Sequence, residues 1–169
     1  MAMRLISFGS TVDGANGGDD MRYFEVVSDS FRKNPDVEIK LPKRATKHSV
    51  AYDFYSPVSV TIQPGEKVFI WTDVKAHMYY DNALLINVRS SMGKQPIMIA
   101  NTQGWIESDY ANNPDNDGNI GFNLLNLGNT PYEIKEGDRI GQGMFIKYLI
   151  TKDDDANGER KGGYGSSGK

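Results

Sequence analysis

Hydrophobic and polar positions alternate along this chain in short bursts. The runs Ala51–Ser56, Val58–Ile62, Lys67–Trp71, Ala83–Val88, Ile97–Ala100, Ile120–Asn126 and Ile140–Ile150 are each rich in β-branched or aromatic residues, the types that suit a pleated, half-buried surface. Between them stand QPGE, NNPDNDG, LGNTP and KEGD, clusters whose Gly, Pro, Asn and Asp favour turns. Strand character begins at Tyr23. No window of about a dozen residues carries an apolar stripe at helical spacing. The pattern predicts an all-β domain, with a sandwich, jelly roll or barrel as its architecture. No internal repeat is visible.

The ends differ from the middle. The first twenty residues include DGANGGDD, too polar and Gly-rich to pack, and read as an extension, tag remnant or disordered arm, with Met21 as a candidate natural start. Residues 21–150 make the β domain. The tail, 151–169, has little to bury, yet carries Arg160, Lys161 and Tyr164 among glycines. Such a composition suits a mobile lid over an anionic ligand.

Composition narrows the chemistry. A chain of 169 residues holds one domain with its own core. A net charge of -3 gives no general attraction to nucleic acid or anionic membrane, so neither is an expected partner. Any phosphate must be met by a local cluster of basic groups. With no cysteine, disulfides, thiolate nucleophiles and Cys-ligated zinc are excluded; a reducing, cytoplasmic setting is the expectation. No apolar run approaches the roughly 20 residues that span a bilayer, and the start lacks a signal-peptide pattern.

Five ordered segments carry the chemistry: SVAYDFYS (49–56), RSSMGK (89–94), ANTQGWIESDY (100–110), GDRIGQ (137–142) and RKGGYGSSG (160–168). Arg89 follows the apolar run ALLINV, so a strand delivers a rigid phosphate-binding fork to a loop. Ser90 and Ser91 add hydroxyls and N–H groups that a helical turn would aim at an anion. ANTQGWIESDY reads as a hairpin turning at Gly104, whose fixed backbone donors and acceptors suit a flat base. GDRIGQ reads as a turn with an Asp138–Arg139 ion pair.

In this order and spacing the segments resemble the five motifs of the trimeric dUTPases, over about residues 21–168. The insert ANNPDNDGN and the tail pattern are similar to the Gram-positive bacterial and phage branch. The resemblance implies a homotrimeric jelly roll, or β-clip, that hydrolyses dUTP to dUMP and pyrophosphate with Mg2+, each pocket drawing on three subunits. That reaction limits uracil incorporation into DNA and supplies dUMP for dTMP synthesis. It further implies that Arg89, Ser90 and Ser91 hold the phosphate chain and that Asn101, Gly104, Trp105 and Ile106 read uracil. Tyr110 packs against the deoxyribose. Asp53 orients the water shell of the magnesium, Gln142 touches phosphate, and Arg160 meets the γ-phosphate. Tyr164 stacks on the pyrimidine, where the family has Phe. Gly162, Gly163, Gly165, Ser166 and Ser167 lend N–H groups and hydroxyls to the phosphates.

Two further positions depart from the family. Ala51 replaces the usual Gly. Glu107 stands where the family has the Asp that activates the attacking water, and it is one methylene longer. Three readings stay open: the backbone shifts to suit Glu107, Asp109 substitutes, or hydrolysis is weak. Function therefore has two further candidates. One is a weakly active or inactive homologue that binds dUTP and regulates an unknown protein partner. The other is a dCTP deaminase, a related family with a catalytic Glu in the strand after the insert. Here that strand reads GNIGFNLLN with Asn123 in the position, and an amide cannot act as a base.

Overall fold

The computed structural model describes residues 21–164; the proposed N-terminal extension and the tail positions Gly165, Ser166 and Ser167 lie outside them. Eleven strands are described among these residues, with one short α-helix and two 3-10 turns, Asp29–Phe31 and Ser108–Tyr110. The strands are β1 (Tyr23–Val26), β2 (Tyr52–Tyr55), β3 (Val60–Ile62), β4 (Lys67–Trp71), β5 (Val74–His77), β6 (Asn82–Asn87), β7 (Ile97–Ile99), β8 (Gly104–Glu107), β9 (Gly121–Asn126), β10 (Tyr132–Ile134) and β11 (Arg139–Lys147), and α1 is Ser90–Gly93. All seven runs read from the sequence contain a strand. The last of them stops at Lys147, three residues early. Strands β5 and β10 had no clear signal, each being short and carrying a Lys or Glu within it.

Two sheets carry the domain. One has the order β2-β11-β6-β8 and the other β4-β9-β7, with β1-β5 and β3-β10 as antiparallel pairs beside them. The two sheets face each other. Phe54 on β2 and Phe122 on β9 meet with ring centroids 5.4 Å apart, and both are fully buried. Strand β9 shows why one strand can serve two surfaces. Phe122, Leu124 and Asn126 are buried while the alternating residues are only half-buried, as a period of two requires. Glycines on β11 let the sheets close. A Cβ at Gly141 would sit 2.0 Å from the Phe122 ring, and one at Gly143 would crowd Leu84 and Phe54 at 3.0 Å.

The insert after Tyr110 is a packed polar knot rather than an open loop. Asn113, Asn116, Asp117 and Asn119 are buried. Buried polar groups need partners, and these have them. Asn113 Nδ2 donates to Tyr110 O, and Asn116 accepts from Gly118 N at 3.0 Å. Asn119 and Asp73 exchange two hydrogen bonds, Asp73 N to Asn119 Oδ1 and Asn119 Nδ2 to Asp73 Oδ1. Asp117 accepts from the Ser28 backbone and hydroxyl and pairs with Lys75 at 3.1 Å. Asp117 has a positive φ of 57°, a conformation Asp tolerates better than most residues. Its carboxyl is held below its ordinary range: burial opposes ionisation, but the Ser28 and Lys75 hydrogen bonds outweigh it.

Gly141→Ala should lower unfolding stability by about 1–3 kcal/mol through overpacking, read as a lower urea midpoint. Gly158→Ala, with nothing within 4 Å of its Cβ position, should leave the midpoint in place. Asp117→Asn should cost about 1–2 kcal/mol at pH 7. Because the folded carboxyl titrates below the unfolded one, its stabilisation is present at neutral pH and lost as pH falls through the lowered pKa. Urea midpoints of parent and variant should therefore converge in acid.

Candidate active site

A cavity of about 310 Å³ lies between the outer face of β9 and the edge strand β8. Asn101, Gly104, Trp105, Ile106, Glu107 and Tyr110 line it, with Gly121 and Asn123 from β9 and Arg160, Gly163 and Tyr164 from the C-terminal segment. Gly121, Asn123 and Phe69 point to the same side of their sheet, because Phe69 pairs with Asn123 across the strands. The missing side chain at Gly121 is filled by Phe69, whose ring atom would lie 2.0 Å from a Cβ there. Tyr164 packs edge-on to that ring at 5.1 Å.

The segment expected to be a hairpin has another form. Strand β7 pairs with β9 and β8 pairs with β6, so the two lie in different sheets. The chain turns at residues 100–103, with Thr102 at a positive φ of 68° and Thr102 N donating to Ile99 O. Gly104 is not the turn: it is the first residue of β8, and a Cβ there would lie 2.5 Å from Ile86. The element is therefore a corner joining two sheets, and close packing rather than turn geometry demands its glycine.

Glu107 ends strand β8 with about half of its side chain exposed. The short turn Ser108–Tyr110 follows and brings Asp109 to the same side. Arg160 joins them: its Nη2 donates to Glu107 Oε2 at 2.8 Å, and its Nε donates to Asp109 Oδ1 at 2.8 Å. Partial burial works against the guanidinium's charge, but Asp109 and Glu107 outweigh it and raise its pKa. The same group lies 5.5 Å from the centre of the Tyr110 ring. Tyr110 is buried. Burial pushes its phenol above the ordinary value, and the neutral hydroxyl donates to Asn119 O while accepting from Asn116 Nδ2.

A second cluster forms beside β6. Arg89 Nε donates to Asp53 Oδ1 at 2.8 Å and Arg139 Nη1 to Asp53 Oδ2 at 3.2 Å. Arg139 therefore pairs with Asp53, not with Asp138, whose carboxylate accepts from Lys135 N in the turn. Cross-strand register places Asp53 opposite Gln142 and Gln142 opposite Asn87, one row on one face. Ser90 and Ser91 open α1 and are exposed, with Ser91 Oγ 3.5 Å from Arg89 Nη1. None of Asp53, Arg89, Ser90, Ser91 or Gln142 lines the cavity. The chain thus sorts the expected site residues into two groups. Asp115, Asn116 and Asn123, which contact the C-terminal segment or the cavity, were missed as site residues, since Asn and Asp in a turn-rich stretch carry no distinguishing signal.

Among the described residues, no three His, Asp or Glu groups come together as a metal cage. Both Asp53 oxygens already face guanidinium groups. With both oxygens taken up in this way, Asp53 has none left for direct coordination, so a hard cation could be met here only through its own water.

The dUTPase family model matches residues 37–168. The deoxyuridine 5'-triphosphate nucleotidohydrolase of Lactococcus lactis subsp. lactis (strain IL1403) is 37% identical over 151 residues, covering 88% of this chain and 98% of that protein. That of Haemophilus influenzae (strain PittEE) is 35% identical over 141 residues, covering 78% and 89%. The crystal structure of dUTPase from Streptococcus mutans superposes with a TM-score of 0.66 at 32% identity, covering 76% of this chain and 98% of that one. A dUTPase from phage phi11 of S. aureus shares the fold at 20% identity, with a TM-score of 0.63. By family model, identity and coverage together, this chain belongs to the dUTPase family.

Proposed function

We propose that this protein hydrolyses dUTP to dUMP and pyrophosphate. The observation that carries the reading is the Glu107 carboxylate, presented from an edge strand at a cavity with an aromatic on either side, Tyr110 and Tyr164. Uracil is read by the corner Asn101–Ile106, where backbone groups fixed by two different sheets cannot flip to accept cytosine. The deoxyribose packs on Tyr110. Water attacks the α-phosphorus in line; Glu107 accepts its proton, the bond from that phosphorus to the bridging oxygen breaks, and pyrophosphate leaves. Atoms balance as dUTP plus water giving dUMP plus pyrophosphate. Asn123 lines the cavity and offers an amide where a deaminase would need a carboxylate.

Arg160 changes partners in this scheme. In the structure it is held by Glu107 and Asp109. A triphosphate carries more negative charge and more acceptor oxygens than that pair, so the guanidinium transfers to the γ-phosphate and releases the base. Gly165, Ser166 and Ser167 follow it in sequence and would join it there. Arg89, Ser90 and Ser91, with Gln142, take the remaining phosphate oxygens. Asp53 would orient the water shell of Mg2+, which supplies neutralisation of charge on the leaving phosphates. A relative, a mutant of the phage phi11 dUTPase, coordinates a structural Mg(II) ion.

The homotrimer belongs to the same reading. The cavity and the Asp53–Arg89 cluster are separate within one chain, so neighbouring copies in the trimer would complete the site. The exposed run Tyr148–Ile150, with Leu149 92% and Ile150 71% exposed, and exposed Val50 and Leu127 supply apolar surface that a partner copy would cover.

Glu107→Gln should lower kcat for pyrophosphate release by about 10²–10⁴-fold, the usual contribution of a positioned base, while dUTP binding measured by calorimetry persists. A parent protein that neither binds nor hydrolyses dUTP would remove the proposal. Intersubunit sharing has its own check. Glu107→Gln and Arg89→Ala chains, unfolded and refolded together, should regain up to about one quarter of parental activity, because mixed oligomers contain some sites with both groups intact. A mixture no more active than its components would refute shared sites.

A further inference from the structure

We propose that the cavity bounded by Arg22, Arg44, Lys47 and His48 is a second anion site, separate from the proposed dUTP site, that takes a short chain of phosphate groups.

Sequence places the charge. Between Glu38 and Asp53 the chain has no acidic residue, while Lys40, Lys43, Arg44, Lys47 and His48 fall within that stretch. The fold adds Arg22, the residue before β1. Arg22, Arg44, Lys47 and His48 line a cavity of about 520 Å³, with Tyr52 and Phe145 beside them. Four of the described arginines have a carboxylate partner: Arg32 with Asp73, Arg89 and Arg139 with Asp53, and Arg160 with Glu107 and Asp109. Arg22 and Arg44 pair with no carboxylate among the described residues, and both line this cavity. The adjoining cleft holds Asp81, but Lys147 takes it at 2.7 Å and Asn82 Nδ2 donates to it.

The two guanidinium forks are held in place without being neutralised. Arg44 Nη1 donates to Lys47 O and Ser49 O, each at 3.2 Å, and the group lies 5.9 Å from the centre of the Tyr52 ring. The loop it grips is closed on itself: the Thr46 and Ser49 hydroxyls lie 2.9 Å apart, and each residue's N–H donates to the other's hydroxyl at 3.1 Å. Arg22 Nη1 donates to Asn82 Oδ1 at 3.1 Å, and its guanidinium lies 5.5 Å from the centre of the Tyr79 ring. Neutral oxygen and ring partners orient a guanidinium yet leave its charge and remaining N–H donors for an anion. Phosphate oxygens match that fork. Tyr52 precedes Asp53 in β2, so the two side chains point to opposite faces, which keeps this cavity apart from the Asp53–Arg89 cluster. A nucleic-acid backbone would call for a stripe of basic groups. Here they gather at one cavity of a chain with net charge -3, which favours a small polyanion. By bridging Arg22 and Arg44, such a ligand would fasten β1, which pairs with β5 alone.

The test is calorimetric titration of the assembled full chain with inorganic tripolyphosphate, in an Arg89→Ala background that disables the other phosphate-binding cluster. Saturable binding is expected. Adding Lys47→Glu, at an exposed position, should weaken it about tenfold or more, and Arg44→Ala should weaken it as well. ATP in place of tripolyphosphate distinguishes the source of the phosphates. Affinity no higher than that of tripolyphosphate means that phosphates alone are read; higher affinity means that the nucleoside joins them. In otherwise parental protein, Lys47→Glu should leave kcat and KM for dUTP unchanged. Val50 also lines the cavity, so absence of binding by the assembled protein, a neighbouring copy over the cavity included, would overturn the inference. So would undiminished affinity in the Lys47→Glu variant, a fall in dUTP hydrolysis in step with lost binding, or tighter binding of a single-stranded oligonucleotide than of tripolyphosphate.

Discussion

The site is organised around one buried hydroxyl. Tyr110 uses its donor on Asn119 O and its acceptor on Asn116 Nδ2, and both partners belong to the insert that follows it in sequence. Asn119 is locked in turn by Asp73, which also accepts from Lys33 N and Asn34 N. An N-terminal loop, the end of a sheet and the cavity wall thus share one polar network. Within low-dielectric surroundings, each member left without a partner would carry its full desolvation cost. The wall consequently moves as a unit or not at all. A wall of this kind holds the cavity's shape, and small displacements at a binding surface are costly.

Placement of the cavity follows from the sandwich. The inner face of β9 closes against Gly141 and Phe54, so its outer face is left free, and Gly121 and Asn123 line the cavity from there. Strand β8 is the edge of the opposite sheet and pairs there with β6 alone. The corner at residues 100–103 crosses between the two sheets and brings these surfaces together. Edge strands invite pairing by foreign strands; here the edge ends in Glu107 and is flanked by the C-terminal segment. The Asp53–Arg89–Arg139 cluster grows on a different row of the same sheet. A single chain therefore builds two separate polar clusters by the same strand pairing that makes its core.

Much of this was legible in the sequence. Enrichment in β-branched and aromatic residues between turn clusters marked Ile120–Asn126 and Lys67–Trp71 within a residue of their bounds, because such side chains suit a pleated, half-buried surface. Arg89 at the end of an apolar strand and Ser90 opening a helical turn also follow from local rules. What escaped was set by contacts distant in sequence. Gly104 looks like a turn residue, yet its reason is Ile86, eighteen positions earlier and adjacent only through strand pairing. Arg139 was read with its neighbour Asp138, but its partner Asp53 lies 86 residues away. The insert reads as a polar loop because its partners, Ser28, Lys75 and Asp73, are invisible until the chain folds.

Glu107 illustrates how a longer side chain changes what must hold it. About half of it is exposed, and it stands on an edge strand, so no wall of packed atoms fixes the carboxylate. The extra methylene adds a rotatable bond and hence freedom to be removed. In this structure the fork of Arg160 removes it, gripping Glu107 and Asp109 together, and a planar guanidinium loses little further entropy in doing so. A shorter Asp in the same place would reach the fork less far from the strand and would depend more on the backbone. With Glu, the location of the carboxylate is set by its charged partner rather than by packing. Any change in the partners of Arg160 therefore changes the freedom of the Glu107 carboxylate directly.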